Sequence, residues 1–454
     1  MQQHTFTLWQ LDKVHEVIAR VREILRTYPA TQIVCRVQLT FMWQEAANFL
    51  NAELKRAFPQ ALVVCLSQSM LWIPRDAEHT CAKLSFMLLR GSRVVPILAG
   101  PFGDPDCDGE AVGRQLGERL DELPDLVCAE VLPPAELFNQ TGALLKSLSA
   151  GRGDLLLYGS GIGTGHYHRE DYGYENGDRD LQVLVEPHDW PQFTDAAGNA
   201  VATRSGPREL LMIDGQLRVA EVLVLAFCGP QLKVHAEFTL GWTPVGREFE
   251  ITRMTGRGRV VSIDGKAAVE IYRKYLNVEP RADFTYHILE FPLTVKRGDL
   301  VLARLPIVCY PDGSIYFSMD VHEHEKVRFA YGRAEDLLAH SRRCAQQLSG
   351  FMPQGMQLVI CANRMLFLKD LFNEEVEYFS GVLPQANIYF GSSEIYCHHG
   401  QGGHLGSTLV AVGFREEDDD LTCLPTACHL VHKFEHPGVP QLAERLAFLL
   451  RAVT

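Results

Sequence analysis

Between two apolar segments, residues 391–414 read GSSEIYCHHGQGGHLGSTLVAVGF, which puts Glu394, Cys397, His398, His399 and His404 in a glycine-rich turn. A carboxylate beside imidazoles suits acid–base chemistry, because both groups titrate in a useful range. That opens a hydrolase or transferase reading built on Glu394 and a neighbouring histidine. Thiolate and imidazole are also zinc ligands, but His166/His168, His322/His324 and His398/His399 lack the helical HExxH spacing. Cys423, Cys428, His429, His432 and His436 follow no recognised metal spacing either, so no metal site is assigned. With no GxSxG elbow and no cysteine in a protease context, no catalytic residue is assigned.

A second glycine-rich stretch, YGSGIGTGHYH, follows a strand-like run. Gly159, Gly161, Gly163 and Gly165 alternate, so no window gives GxGxxG and no Walker lysine ends the run. What remains is a connecting loop, or a wall at Gly161 that lets a ligand approach the backbone. The acidic run REEDDD, Arg415 to Asp420, lacks the alternating calcium-ligand pattern and reads as a solvated loop.

These groups must be positioned by a chain of 454 residues, enough for two or three domains. With 46% hydrophobic and 22% charged residues it is globular. Basic residues number 43 against 56 acidic, and no Lys/Arg stripe offsets the net charge of -13, which excludes nucleic acid as a partner. Twelve cysteines are scattered without a CxxC pair, several inside apolar runs such as QIVCRV, as expected in a reducing compartment. The N-terminus does not read as a signal peptide and no apolar run spans a bilayer, so the expectation is a cytoplasmic protein without a membrane partner.

Hydrophobic spacing predicts a helix over Leu11–Tyr28, then strand, helix, strand through QIVCRVQL, EAANFLNAELKRAF and ALVVCLSQ. Leu84–Leu89 and Val94–Leu98 read as a hairpin about RGS, and turns at Asp214-Gly215 and Gly229-Pro230 join further strands. The order strand, helix, strand, turn, strand occurs around VCRVQL and again around LVICANRMLFL. Two related lobes are expected from this echo. VPQLAERLAFLLRAV ends the chain as an apolar helix, either a hand-over to an output segment or a helix packed on the core.

The segment LGWTPVGREFEITRMTGRGRVVSIDGKAAVEIYRKYL, with CANRMLFL and YFGSSEIYCHHGQGGHLGSTLVAVGF, resembles the FIST sensory domain family in its N-terminal and C-terminal parts. Ser393 stands where the family often has the glycine of Gly-Glu-Ile, and CLSQSMLWIPRDAEHT has lost that motif. The resemblance implies an α/β (α+β) fold of two FIST-type lobes with mixed, largely antiparallel sheets covered by helices. Its boundaries would be an N-terminal helix at 1–30, a FIST N-terminal domain at 31–255, a FIST C-terminal domain at 256–414, and an acidic loop with a C-terminal helix at 415–454.

The resemblance also implies a non-enzymatic signal-input protein, mostly bacterial, that binds a small ligand such as an amino acid. Its partner would be a histidine kinase, a chemoreceptor or a cyclic-di-GMP enzyme. Glu394 is then placed to meet a ligand amine and Arg364 a carboxylate, with Trp242 and Gly161 as pocket walls. Alternatively Glu394 and Arg364 pair with each other and Trp242 belongs to the core. No cofactor is expected, except that one subset of the family binds heme and senses nitric oxide. For that variant His235, in QLKVHAEF, is the axial candidate.

Overall fold

The computed structural model describes residues 1–39, 44–67, 82–100, 108–134, 140–162, 211–218, 221–256, 258–278, 288, 290–317, 319–391 and 394–416. The chain is mixed α/β, with helices covering mixed, largely antiparallel sheets. It begins with β1 (Gln2–Leu8), α1 (Val14–Thr27), β2 (Gln32–Leu39), α2 (Gln44–Ala57), β3 (Leu62–Ser67) and β4 (Ala82–Leu89). The four strands lie in the order β1-β4-β2-β3, with β2 and β3 parallel and the other pairs antiparallel.

The same plan follows in β5 (Arg93–Ala99), α3 (Gly109–Asp121), β6 (Leu126–Leu132), α4 (Thr141–Leu148), β7 (Leu156–Ser160) and, after β8 (Leu211–Ile213) and β9 (Gln216–Arg218), β10 (Val222–Cys228). The order is β5-β10-β6-β7, again with only β6 and β7 parallel.

A third copy opens with β11 (Leu232–Thr239) and is interrupted by a separate sheet. That sheet is built from β12 (Trp242–Thr255), β13 (Arg259–Ile263), β14 (Lys266–Ala267), β15 (Leu293–Arg297), β16 (Leu300–Arg304), β17 (Pro306–Cys309), β18 (Ile315–Phe317) and β19 (Lys326–Gly332), with α5 (Val269–Leu276) after β14. The third unit resumes with α6 (Ala334–Phe351), β20 (Gly355–Cys361), α7 (Ala362–Leu368), α8 (Phe372–Val382), β21 (Asn387–Gly391), the hairpin β22 (Glu394–His398) and β23 (Gln401–His404), and β24 (Leu409–Glu416). Its order, β11-β24-β20-β21, repeats the first two, with β20 and β21 parallel.

Side-chain alternation shows how the three units meet. Along β24, Leu409 and Ala411 face the unit's own helices, whereas Val410, Val412 and Phe414 enter a core common to all units. Leu223, Leu225 and Phe227 of β10 and Val34 of β2 enter the same core, while Val224 and Cys35 turn outward to their helices. Sheets buried on both faces read as unbroken apolar runs, as VLVLAFC in β10 does. The structure is therefore three helix-backed sheets whose inner faces meet around one axis.

Each unit's first strand rests on the second strand of the unit before it, and glutamine amides stand in for ladder bonds at two of these seams. Gln3 Nε2 of β1 donates to Met356 O of β20, and Met356 N donates back to Gln3 Oε1, both at 2.9 Å. Gln32 of β2 does the same with Val94 of β5, at 3.0 Å to the carbonyl and 2.6 Å from the amide. At the third seam β11 lies against β6. On the axis, the Arg36 guanidinium grips the Glu130 carboxylate, which also accepts from Tyr389 Oη at 2.7 Å. Each of these three residues comes from a different unit.

Several expectations change. The first 30 residues hold the strand β1 as well as the expected helix. RGS and Gly229-Pro230 do not make hairpins, because β4 and β5, like β10 and β11, belong to different sheets. Both turns carry the chain from one unit to the next. Arg415 and Glu416 belong to β24, and Glu416 is buried, accepting from the Arg90 and Gly91 backbone amides at 3.1 and 3.0 Å. The remainder of the acidic run and the apolar C-terminal helix lie outside the described residues. Among those described, no helix is long and apolar enough to cross a membrane.

Candidate functional site

Three strands end together. Parallel β20 and β21 finish at Cys361 and Gly391, and β7 finishes at Ser160, which pairs with Glu394 of β22. The carboxyl ends of parallel strands are where α/β sheets gather ligands. The 394–408 segment, the loop first singled out for its polar residues, crosses this place and touches the second unit, the third unit and the inserted sheet.

Glu394 is fully buried, and its Oε2 accepts from Thr408 N at 3.4 Å. Oε1 has no hydrogen-bond partner among the described residues. Burial pushes the carboxyl up to about 8, against the opposing effects of the Cys361 thiol and the Thr408 amide, so at neutral pH Glu394 is mostly a neutral acid. Glycine at 391 makes room for it, since a Cβ there would collide with Ser160 Oγ and lie 3.3 Å from Glu394 Oε1. Gly161 follows Ser160, whose hydroxyl donates to the Gly161 carbonyl at 3.3 Å, so Gly161 and Glu394 share this seam. Gly163, Gly165, His166 and His168 lie outside the described residues.

Arg364, in the first turn of α7, spends its donors inside the protein. Nε donates to both Glu375 carboxylate oxygens at 3.2 Å, and Nη2 donates to Glu375 and to Ser341 Oγ, the latter at 3.2 Å. Nη1 donates to Leu240 O at 3.3 Å. One buried guanidinium thus ties α6, α7, α8 and the β11–β12 link together. Its ion-pair partner is Glu375, not Glu394. Sequence reasoning missed Glu375, although the signal was present: it sits with Phe372, Val376 and Phe379 on the apolar stripe of α8.

Trp242, 5% exposed, packs edge-on against Phe367 with ring centres 5.4 Å apart, and its Nε1 donates to Ser407 O at 3.4 Å. Asn363 Nδ2 donates to Ser407 Oγ at 2.8 Å, so Trp242 and the helix bearing Arg364 are fastened to the same loop.

The histidines are engaged elsewhere. His404, fully buried, lies with Nδ1 3.1 Å from Asp320 Oδ1, and His399 Nδ1 lies 3.2 Å from Asp154. Burial lowers His404, with Asp320 opposing. Burial alone would raise Asp320, but Arg304, His404 and Arg297 outweigh it and hold the carboxyl well below its usual range. His235 stacks on Phe351 with ring centres 5.7 Å apart, and its Nε2 is 2.7 Å from Glu237 Oε1. An axial heme ligand needs an open apolar chamber before its imidazole. A ring sandwiched between Phe351 and a carboxylate does not fit that role.

Leu240 connects this buried network to open space. A cleft of about 700 Å³ lies between the end of β11, α6 and β16, lined on its apolar side by Phe238, Leu240 and Leu300 and on its polar side by Glu237, His340 and Arg343. The volume is in the range of small-molecule sites. Gly241 takes a φ of 93° in its wall, where a Cβ would come within 3.0 Å of Leu337 Cδ2. A side chain there would be strained and would press on α6.

Residues 192–266 match the FIST N domain and residues 268–393 the FIST C domain. The chain is a FIST-domain protein. No curated protein is similar enough to be matched. The FIST N match covers β8 to β14, including β11 and β12, and the FIST C match runs from α5 to β21. The cleft therefore lies across the junction of the two domains, with β11 on one side and Leu300 and α6 on the other. FIST domains are associated with signal-transduction sensing.

Proposed function

We propose that this FIST-domain protein is a cytoplasmic signal-input protein whose small ligand occupies the cleft between β11, α6 and β16. The observation that carries the reading is the Arg364–Leu240 hydrogen bond. Leu240 forms part of the cleft wall, and the guanidinium that holds its carbonyl also holds Glu375 on α8 and Ser341 on α6. A ligand that moves the β11–β12 link therefore strains a buried ion pair shared by three helices. Such networks favour discrete arrangements over gradual deformation, as a two-state transmitter requires. An output partner such as a histidine kinase, a chemoreceptor or a cyclic-di-GMP enzyme would read the outer faces of α6 and α8. Trp242 follows Gly241 of the cleft wall, whereas Glu394 and Gly161 lie at the β7–β22 seam and not in the cleft lining.

A thermal-shift screen against amino acids and related metabolites tests the reading, since a ligand of the native state raises the melting temperature by mass action. The expected result is a selective shift that Leu300→Trp removes by filling the cleft. Shifts unaffected by Leu300→Trp would place the ligand elsewhere.

A further inference from the structure

The cleft holds a polar atom with no use inside the protein. Thr239 is 2% exposed, yet its Oγ1 has no hydrogen-bond partner among the described residues, and Thr239 lines the cleft. A buried hydroxyl left unsatisfied is destabilising, and a ligand group that bonds it removes the penalty. Across from it on α6, Arg343 is exposed and no carboxylate among the described residues pairs with it. The two walls are close at this level, because the next residue of the helix, Cys344, donates through Sγ to Phe238 O at 3.8 Å.

The remaining polar groups of the cleft add no second cation. Glu237, the cleft's one carboxylate, lies 2.7 Å from His235 Nε2. His340 is kept toward its neutral form by burial and by Arg343, and so adds a hydrogen-bonding ring and not a second cation. Among the residues lining the cleft the one guanidinium is that of Arg343, and its planar fork matches a carboxylate.

We propose that the cleft binds its ligand through a carboxylate group, held by the Arg343 guanidinium and the Thr239 hydroxyl, with a short apolar body against Leu240 and Leu300. This rests on the small-ligand reading of the same cleft and names its chemistry. It also moves the expected carboxylate contact from Arg364, which is spent on Glu375, to an arginine that faces the opening. The carboxylate could belong to a free acid or to an α-amino acid, whose ammonium would then have to displace His235 from Glu237.

Isothermal titration of the full chain with pentanoate, pentanamide and norvaline separates these cases. The expected result is at least tenfold tighter binding of a carboxylate-bearing probe than of pentanamide. Arg343→Gln, at an exposed position that leaves folding intact, should abolish that preference, and Thr239→Val should weaken binding several-fold. Norvaline above pentanoate identifies the amino acid as source, and pentanoate above norvaline the free acid; either order supports the carboxylate. Pentanamide binding as tightly as pentanoate, pentanoate affinity unchanged in Arg343→Gln, or no probe binding at all overturns it. None of these decides whether the cleft holds some other ligand, which the broad screen with Leu300→Trp answers by itself.

Discussion

Arg364 Nη1 donates to the carbonyl oxygen of Leu240 at 3.3 Å, while the rest of the guanidinium is held by Glu375 and Ser341. Leu240 is half-buried in the cleft wall and Arg364 is sealed beneath it, so the bond joins open surface to core.

Breaking one side of that pair should be expensive. Arg364→Ala leaves the Glu375 carboxylate buried without its counter-charge, a change that costs about 3–5 kcal/mol. The double variant Arg364→Met/Glu375→Leu should regain most of that, because neither charge is then stranded. Urea denaturation measures both. A single variant as stable as wild type would mean that water reaches Glu375.

Glu394 sets a pH dependence of definite sign. Its carboxyl is raised from 4.5 to about 8 in the folded protein, so between those limits the folded state binds the extra proton and stability falls as pH rises. The loss is about 1.4 kcal/mol for each pH unit in that window. Of its surroundings, the neutral Cys361 thiol lies beside it and the Arg364 charge acts from farther off. Glu394→Gln should therefore stabilise the protein by on the order of 3 kcal/mol at pH 7, with little effect at pH 4.5. Urea midpoints recorded across pH 5–8.5 that run parallel for the two proteins would contradict this.

His404 acts at the other end of the scale. Its ring is lowered by burial and faces Asp320, Arg304 and Arg297. Below pH 6.5 the unfolded chain takes up a proton that the folded chain refuses, so stability falls as pH falls from there toward the lowered folded value. His404→Gln should flatten that acid limb. An unchanged acid limb in the variant would assign the limb to other groups.

The axial pair offers a test of how the three units are held. Glu130→Gln weakens the grip on Arg36 and the acceptor of Tyr389, and about 3 kcal/mol or more should be lost. Arg36→Met/Glu130→Met, which removes both charges, should fall within about 1 kcal/mol of wild type or above it. Hydrogen exchange would show whether the loss appears in all three sheets or in the first alone; the geometry predicts all three.

Much of this was legible in the sequence, and the illegible part has physical causes. Helical spacing marked α1 through Val14, Val17, Ile18 and Val21, all buried, and the echo between LVICANR and VCRVQL reflects a real identity of strand order. The second unit went unseen because its strands β7 and β10 are separated by 61 residues, 161–221, that break up the rhythm. The turns at RGS and Gly229-Pro230 looked like hairpin turns since local chemistry reports a reversal, not which sheet the next strand joins. Glu394 stood out in its polar glycine-rich loop, and Arg364 through the resemblance that CANRMLFL carries. The stripe of α8 marked Glu375 as buried, but only the structure shows that this carboxylate, 11 residues away, already holds the arginine. The cleft residues Thr239 and Arg343 carry no motif at all and become notable only when β11 and α6 face each other.

The seam between Gln3 and Met356 joins positions 353 residues apart. During synthesis β1 is followed closely by its helices and sheet partners, but the surface it finally rests on emerges 353 residues later. Until then the inner face of the first sheet, with Val34, Val64 and Met87, has nothing to cover it. Contacts so distant in sequence form slowly, and exposed apolar sheets aggregate in the meantime. Closing the ring of three sheets thus depends on the contacts most distant in sequence, and the first unit keeps an apolar inner face until the third arrives.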